Sequence, residues 1–207
     1  MKLVGLTGGF ASGKSTVRQM LQLLGTDVLD ADAIYHGLIA PKAAGPTALP
    51  HESSLAREID ARFPGVLGAD GVIDRQALGR RVFADPDERK ALERITHPRV
   101  AQEVARKVET LKAQGSPLVV YDVPLLFEAH LEVTLQGIIV VWVPRAIQLQ
   151  RLTQRDGITA EAAQKKLAAQ LPLDEKRKRA TWVIDNSGPL AETRTQVERL
   201  WKQLRGR

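Results

Sequence analysis

The 207-residue chain contains no cysteine. Disulfides, thiolate metal sites and a cysteine nucleophile are therefore excluded. Aromatic residues make up only 4%, and no base-stacking module for nucleic acid is visible among them. No apolar run approaches the ~20 residues needed to span a bilayer. Met1 leads straight into an apolar stretch with no charged n-region, h-region or cleavage site. No signal peptide is read there, and a cytoplasmic protein is expected. The four histidines (His36, His51, His97, His130) show no i,i+3 or i,i+4 pairing in metal-ligand register. Asparagine occurs once, at Asn186. No internal repeat or low-complexity segment is found.

What is present is an ordinary globular composition, with 43% hydrophobic and 26% charged residues. The length suits one domain, with room for an inserted subdomain. The formal charge is +6. A basic chain suits nucleic acid or small polyanionic ligands. The basic residues are spread along presumed helices, and the densest run is Lys176-Arg177-Lys178-Arg179. With so few aromatics, small polyanions are the better reading.

One stretch organises the rest. Gly8-Gly9-Phe10-Ala11-Ser12-Gly13-Lys14-Ser15 fits G-x-x-x-x-G-K-[ST], the phosphate-binding loop. Residues 2–7 before it read as a short apolar strand, and residues 16–24 after it as a helix. That order aims backbone N–H groups and the positive helix end at one point, which becomes an anion site. By the pattern's mechanics Lys14 reaches the β- and γ-phosphates, and the Ser15 hydroxyl ligates Mg²⁺.

Further strands are expected over 27–29, 116–122, 137–143 and 181–185. Several end in acids. Asp30-Ala31-Asp32 closes the second, and a carboxylate there points into the crevice of an open α/β sheet. Asp32 has two open roles, catalysis in that crevice or capping of a helix over 33–39. Asp122 follows four apolar or aromatic residues, as in a Walker B-like element that holds Mg²⁺. Capping of the next turn is its alternative. Arg151 and Arg155 lie four apart, on one helix face. They suit neutralising charge on a transferred phosphoryl group, or they are a plain basic face. The arginine-bearing helix, the turn at Asp156-Gly157 and a helix over 160–170 suggest a lid across 145–172. Asn186 suits a base edge or an Asx-turn, and spacing alone favours the turn.

Residues 40–50 are broken by proline and glycine and read as a connector. Beyond them the pattern is helical near 52–63, 74–84, 87–95 and 98–113, with His97-Pro98 taken as a break. The block from 40 to 113 reads as a helical substrate-binding insertion within one domain of residues 1–207.

Taken together these runs resemble the dephospho-CoA kinase family. Leu6-Thr7-Gly8-Gly9, Ser12-Gly13-Lys14-Ser15-Thr16 and Asp30-Ala31-Asp32 match it. So do Gly71-Val72-Ile73-Asp74-Arg75, Val82-Phe83, Ile95-Thr96-His97-Pro98, the run from Asp122 through Glu128, and that from Val183 through Gly188. The resemblance implies an α/β fold, a doubly wound parallel sheet P-loop kinase core with an inserted helical substrate domain and a helical lid. It implies ATP-dependent phosphorylation of the ribose 3′-hydroxyl of dephospho-coenzyme A, giving coenzyme A and ADP, with Mg²⁺. It assigns Asp32 the hydroxyl proton, and lid roles to Arg151 and Arg155 beside Lys14. ATP contacts fall on Gly8, Gly9, Ala11, Ser12, Gly13, Lys14, Ser15, Thr16 and, at the adenine, Asn186. Substrate contacts fall on Asp32, Arg75, His97 and Pro98, and metal contacts on Ser15 and Asp122. The expected partner is the small molecule alone, with no nucleic acid and no membrane. A monomer is expected, or at most a weak oligomer. Two positions depart from the family pattern. Ala11 stands where glycine is usual, and Tyr35 where a small residue is usual. A nucleoside or nucleotide kinase is the neighbouring alternative. A GTP-binding switch lacks its Asn-Lys-x-Asp run here.

Overall fold

The computed structural model describes residues 1–39 and 54–206. The connector read at 40–50, and His51, lie outside the described residues. Five strands form one parallel sheet in the order β2-β3-β1-β4-β5. They are β1 (Lys2–Gly8), β2 (Asp27–Asp30), β3 (Leu118–Asp122), β4 (Ile138–Trp142) and β5 (Trp182–Asp185). Near-continuous apolar runs are what strands covered on both faces require. All five residues of β3 are buried. β1 is central, with Leu3 in register with Val119 and Leu6 with Ile139. The chain fills one side of β1 with β2 and β3 and the other with β4 and β5. The carboxyl end of β1 is thus the switch point of the sheet, where open α/β folds place ligands.

The described chain divides into two compact units. The first holds residues 1–30 and 110–207 and contains the sheet. Here α1 (Lys14–Leu23) and α9 (Leu190–Arg205) cover one face. Val4, Leu6, Val17, Leu21, Val120, Ile184, Val197 and Leu200 form that core. α6 (Arg145–Asp156) and α7 (Ala160–Ala168) pack through Leu152, Ala163 and Leu167 onto Phe10 and Ala11. The turn between them uses Gly157 at φ 62 and the Thr159 hydroxyl, which caps α7 by accepting from Ala162 N. A short helix the sequence reading missed, α8 (Leu173–Lys178), carries part of the basic run.

The second unit, residues 31–109, is helical. It contains α2 (Ala31–Ile39), α3 (Ser54–Arg62), α4 (Arg75–Ala84) and most of α5 (Pro86–Ala113). Its core is built from Leu55, Ile59, Phe63, Val66, Ile73 and Leu78, among others. The Gly71-to-Arg75 run is a tight turn with Gly71 at φ 75, followed by Asp74 capping α4 through Gln76 N and Ala77 N, each at 2.9 Å. One antiparallel bridge, Leu67 to Ile73, interrupts the helices.

One expectation is corrected. His97-Pro98 does not break a helix, since α5 runs unbroken for 28 residues with Pro98 inside it. Proline withholds one N–H and costs about 3 kcal/mol. A long helix that buries Ala91, Thr96 and Val104 offsets that. The Thr96 hydroxyl also donates back to the Leu92 carbonyl at 2.9 Å, in the turn before the proline.

Candidate active site

The phosphate loop lies between β1 and α1 because its glycines permit what other residues resist. Gly13 caps α1 at φ 86, and a Cβ there would strike the Asn186 amide. A Cβ on Gly8 would come within 2.5 Å of the Ser12 hydroxyl. Ala11 adopts φ 56, the left-handed region that alanine enters at a cost of about 1–2 kcal/mol. The loop folds on itself through Ser12 N to Gly9 O at 3.2 Å and Thr16 N to Gly13 O at 3.0 Å. Lys14 and Ser15 lead the helix, where amides lack partners inside it. The Ser12 side chain is fully buried, and its hydroxyl has no hydrogen-bond partner.

A cavity of about 570 Å³ opens over this loop. Gly8 to Ala11 and Gly13 to Thr16 form its floor, and Pro124, Arg151, Arg155, Gln170, Asn186 and Gly188 contribute to its walls. Both arginines that spacing placed on one face of α6 therefore reach the cavity. Arg155 Nε donates to Asp156 Oδ1 at 2.8 Å. Arg155 and then Lys166 pull the Asp156 carboxyl down to about 2.

The strand ends carry charge. Asp30 and Asp122 are register partners across β2 and β3. Lys14 Nζ donates to Asp122 Oδ1. Arg18, on the next turn of α1, donates to Asp30 and, at 3.3 Å, to Asp122 Oδ2. Asp122 is 1% exposed. Burial pushes its carboxyl above the ordinary value, Lys14 and Arg18 draw it back, and the Asp30 charge adds to the push.

Asn186 closes the cavity's far side. Its Nδ2 donates to Ser12 O at 2.8 Å and its Oδ1 accepts from Thr193 Oγ1 at 2.8 Å. The Asx-turn that spacing favoured at Asn186 belongs instead to Asp185, whose Oδ1 accepts from Ser187 N at 2.9 Å. A polar side chain at a strand end fits either use, and here the neighbouring loop decides which residue turns.

The remaining named residues belong to the helical unit. Asp32 is exposed in the first turn of α2. It does not cap that helix, because α2 begins at Ala31, directly after β2. Arg75 lies 3.1 Å from His36 Nε2. His97 and Pro98 are exposed on α5. Tyr35 packs against the unit's core, with burial pushing its phenol up and Arg75 pulling it back. Arg99 and Arg81 serve inside the unit, bonded to Glu58 and to the Pro64 carbonyl.

A family model described as dephospho-CoA kinase matches residues 2–192. The chain belongs to the dephospho-CoA kinase family. It is 48% identical over 206 residues to the dephospho-CoA kinase of Symbiobacterium thermophilum, covering 100% of this chain and 82% of that one. It is 46% identical to that of Anaeromyxobacter dehalogenans, covering 100% and 93%. Among solved structures, the dephospho-CoA kinase from Campylobacter jejuni superposes with a TM-score of 0.73 at 27% identity, covering 99% of this chain and 97% of that one.

Four further residues that sequence spacing did not single out support the phosphate loop and the strand ends, and one of them, Gln170, lines the cavity. Arg18 bridges the two acids. Gln148 Nε2 donates to the Phe10 carbonyl at 2.8 Å, and Gln170 Oε1 accepts from Phe10 N at 3.2 Å. Lys176 is fully buried and paired with Glu128. A lone glutamine or a lysine within a basic run carries no local signal of such a place.

Proposed function

We propose that this chain transfers the terminal phosphoryl group of ATP to the 3′-hydroxyl of dephospho-coenzyme A, giving coenzyme A and ADP. One observation carries the reading: a cavity floored by the phosphate loop and reached by two arginines, in a chain that matches the dephospho-CoA kinase family over residues 2–192.

In this reading the loop amides and Lys14 hold the triphosphate. Gly8, Gly9, Ala11, Ser12, Gly13, Ser15 and Thr16 complete the cradle. Asn186 shapes the adenine side through its grip on the loop. Asp32 accepts the proton of the attacking hydroxyl, a role worth about 10²–10⁴-fold. Residues 145–172 act as the lid, and its Arg151 and Arg155 stabilise charge on the group in flight while water is kept out. The helical block at 40–113 takes the acceptor, with Arg75, His97 and Pro98 toward it.

Mg²⁺ fits the residues present. Ser15 and Asp122 offer hard oxygen donors, and among the described residues no cluster of three or more His, Cys, Asp or Glu forms a cage. That suits a cation carried largely by substrate phosphates. When bound, it would neutralise charge on the β- and γ-phosphates. We further read the enzyme as cytoplasmic and monomeric, with neither nucleic acid nor membrane as a partner. No helix among the described residues is long and apolar enough to cross a membrane.

Labelled ATP offered with dephospho-coenzyme A, nucleosides and nucleoside monophosphates tests the assignment. Label appears in dephospho-coenzyme A. Equal or faster labelling of a nucleoside or nucleotide overturns it.

A further inference from the structure

Among the described residues, the most deeply buried cation plays no part in the reaction described above. Lys176 is 0% exposed, although it sits in the densest basic run of the sequence. A buried ammonium is costly unless hydrogen-bonded and paired. Its Nζ donates to Pro124 O at 2.9 Å and lies 2.8 Å from Glu128 Oε1 and 3.1 Å from Glu128 Oε2. Each partner is shared. Pro124 O also accepts from Thr7 Oγ1, at the end of β1, at 3.0 Å. Glu128 Oε1 also accepts from Leu171 N at 2.9 Å. The neighbouring Gln170 accepts the Phe10 N–H of the phosphate loop, and Gln148 of α6 donates to the carbonyl of the same residue. Phe10 is thus held from both ends of the segment that carries Arg151 and Arg155. At the far end Glu128 is the polar fixing, beside the packing of Leu167 on Phe10 and Ala11.

We propose that Lys176 is a positioning residue. Its ammonium anchors Pro124 and, through Glu128, the point at Leu171 where the α6–α7 segment returns to the phosphate loop. This rests on reading residues 145–172 as a lid over an ATP site. A purely space-filling role at a buried position is served as well by an apolar side chain, often with equal or greater stability. An ammonium there instead joins four separate stretches of chain: β1, the loop after β3, the lid's return and α8. A lid with a loose return leaves its arginines misplaced and admits water to the phosphates. Misplacement of about 1 Å costs up to ~10²-fold in rate.

The test uses the full-length enzyme with ATP and dephospho-coenzyme A. Melting temperature, kcat, KM for ATP and the ratio of ADP released to coenzyme A formed are measured. The double variant Lys176→Met/Glu128→Gln leaves no unpaired charge and keeps an acceptor for Leu171 N. It is expected to melt close to the unmodified protein, with KM for ATP changed less than about threefold. Its kcat falls about 10- to 100-fold, in the range for such misplacement, and ADP exceeds coenzyme A because water competes. Unmodified kcat with one ADP per coenzyme A overturns the proposal. If the double variant does not fold, Gln170→Ala removes the hold on Phe10 without touching the buried charge. The same excess of ADP is expected there, and an unchanged ratio overturns the proposal. Arg151→Ala separates the two readings. If it turns over normally, the lid reading fails. If it is slow while the Lys176 and Gln170 variants behave normally, only the positioning role fails.

Discussion

The side-chain amide of Asn186 donates to the carbonyl of Ser12 at 2.8 Å, joining positions 174 residues apart. The residue that follows the last strand of the sheet thereby holds the first loop of the chain. The bond is buried, and its other half goes to Thr193 of α9 at 2.8 Å. Asn186→Ala leaves the Ser12 carbonyl and the Thr193 hydroxyl without these partners. Stability falls by about 2 kcal/mol. KM for ATP rises roughly tenfold, equivalent to ~1.4 kcal/mol. Chemical denaturation and an ATP titration check both, and unchanged values in both deny that Asn186 braces the loop.

Ala11 holds φ 56 in the loop itself. Glycine at this position relieves about 1–2 kcal/mol of strain. It also adds freedom to the unfolded chain, worth about 0.4–1 kcal/mol in the other direction. Ala11→Gly is therefore expected to stabilise the protein by up to about 1.6 kcal/mol, raising Tm by up to roughly 6 °C. A thermal melt decides it, and a lower Tm contradicts the strain argument.

Asp122 is buried at a sheet end, and burial raises its carboxyl above the ordinary 3.8. A raised folded-state value means that protonation favours the folded protein. That gain is full below 3.8 and is lost as pH rises through the raised value. Asp122→Asn removes the ionisable group while Lys14 and Arg18, each partly exposed, remain hydrated. At neutral pH the variant is expected to melt at or above the unmodified protein, with turnover reduced about 10²-fold or more. Its Tm advantage narrows as pH falls toward 4. An advantage that widens on acidification contradicts the assigned direction.

Much of this arrangement was legible in the sequence, for local reasons. The phosphate loop is a contiguous pattern whose glycines answer to backbone geometry. Asp30 and Asp122 announced themselves by ending apolar runs, and the sheet pairs them side by side. Arg151 and Arg155 share a face by helical period alone, and both line the cavity. The failures came where tertiary context overrides local preference. Pro98 predicts a helix end, yet α5 runs through it and buries Ala91, Thr96 and Val104. Lys176 reads as one more solvated charge, because its partner Glu128 lies 48 positions away. The Asx-turn near Asn186 was displaced by one residue, since only folding brings the Ser12 carbonyl into reach. Asp32 illustrates both sides. Its place after β2 is plain from the pattern, but capping and catalysis look alike until the helix start is fixed at Ala31.

The assignment of Asp32 as the group that readies the acceptor hydroxyl is the centre of the account. The measurement that bears on it most directly is the turnover of Asp32→Asn under saturating ATP and dephospho-coenzyme A, with ATP affinity measured alongside. The account predicts kcat lower by about 10²–10⁴-fold with ATP bound as tightly as before. Near-normal turnover would contradict it.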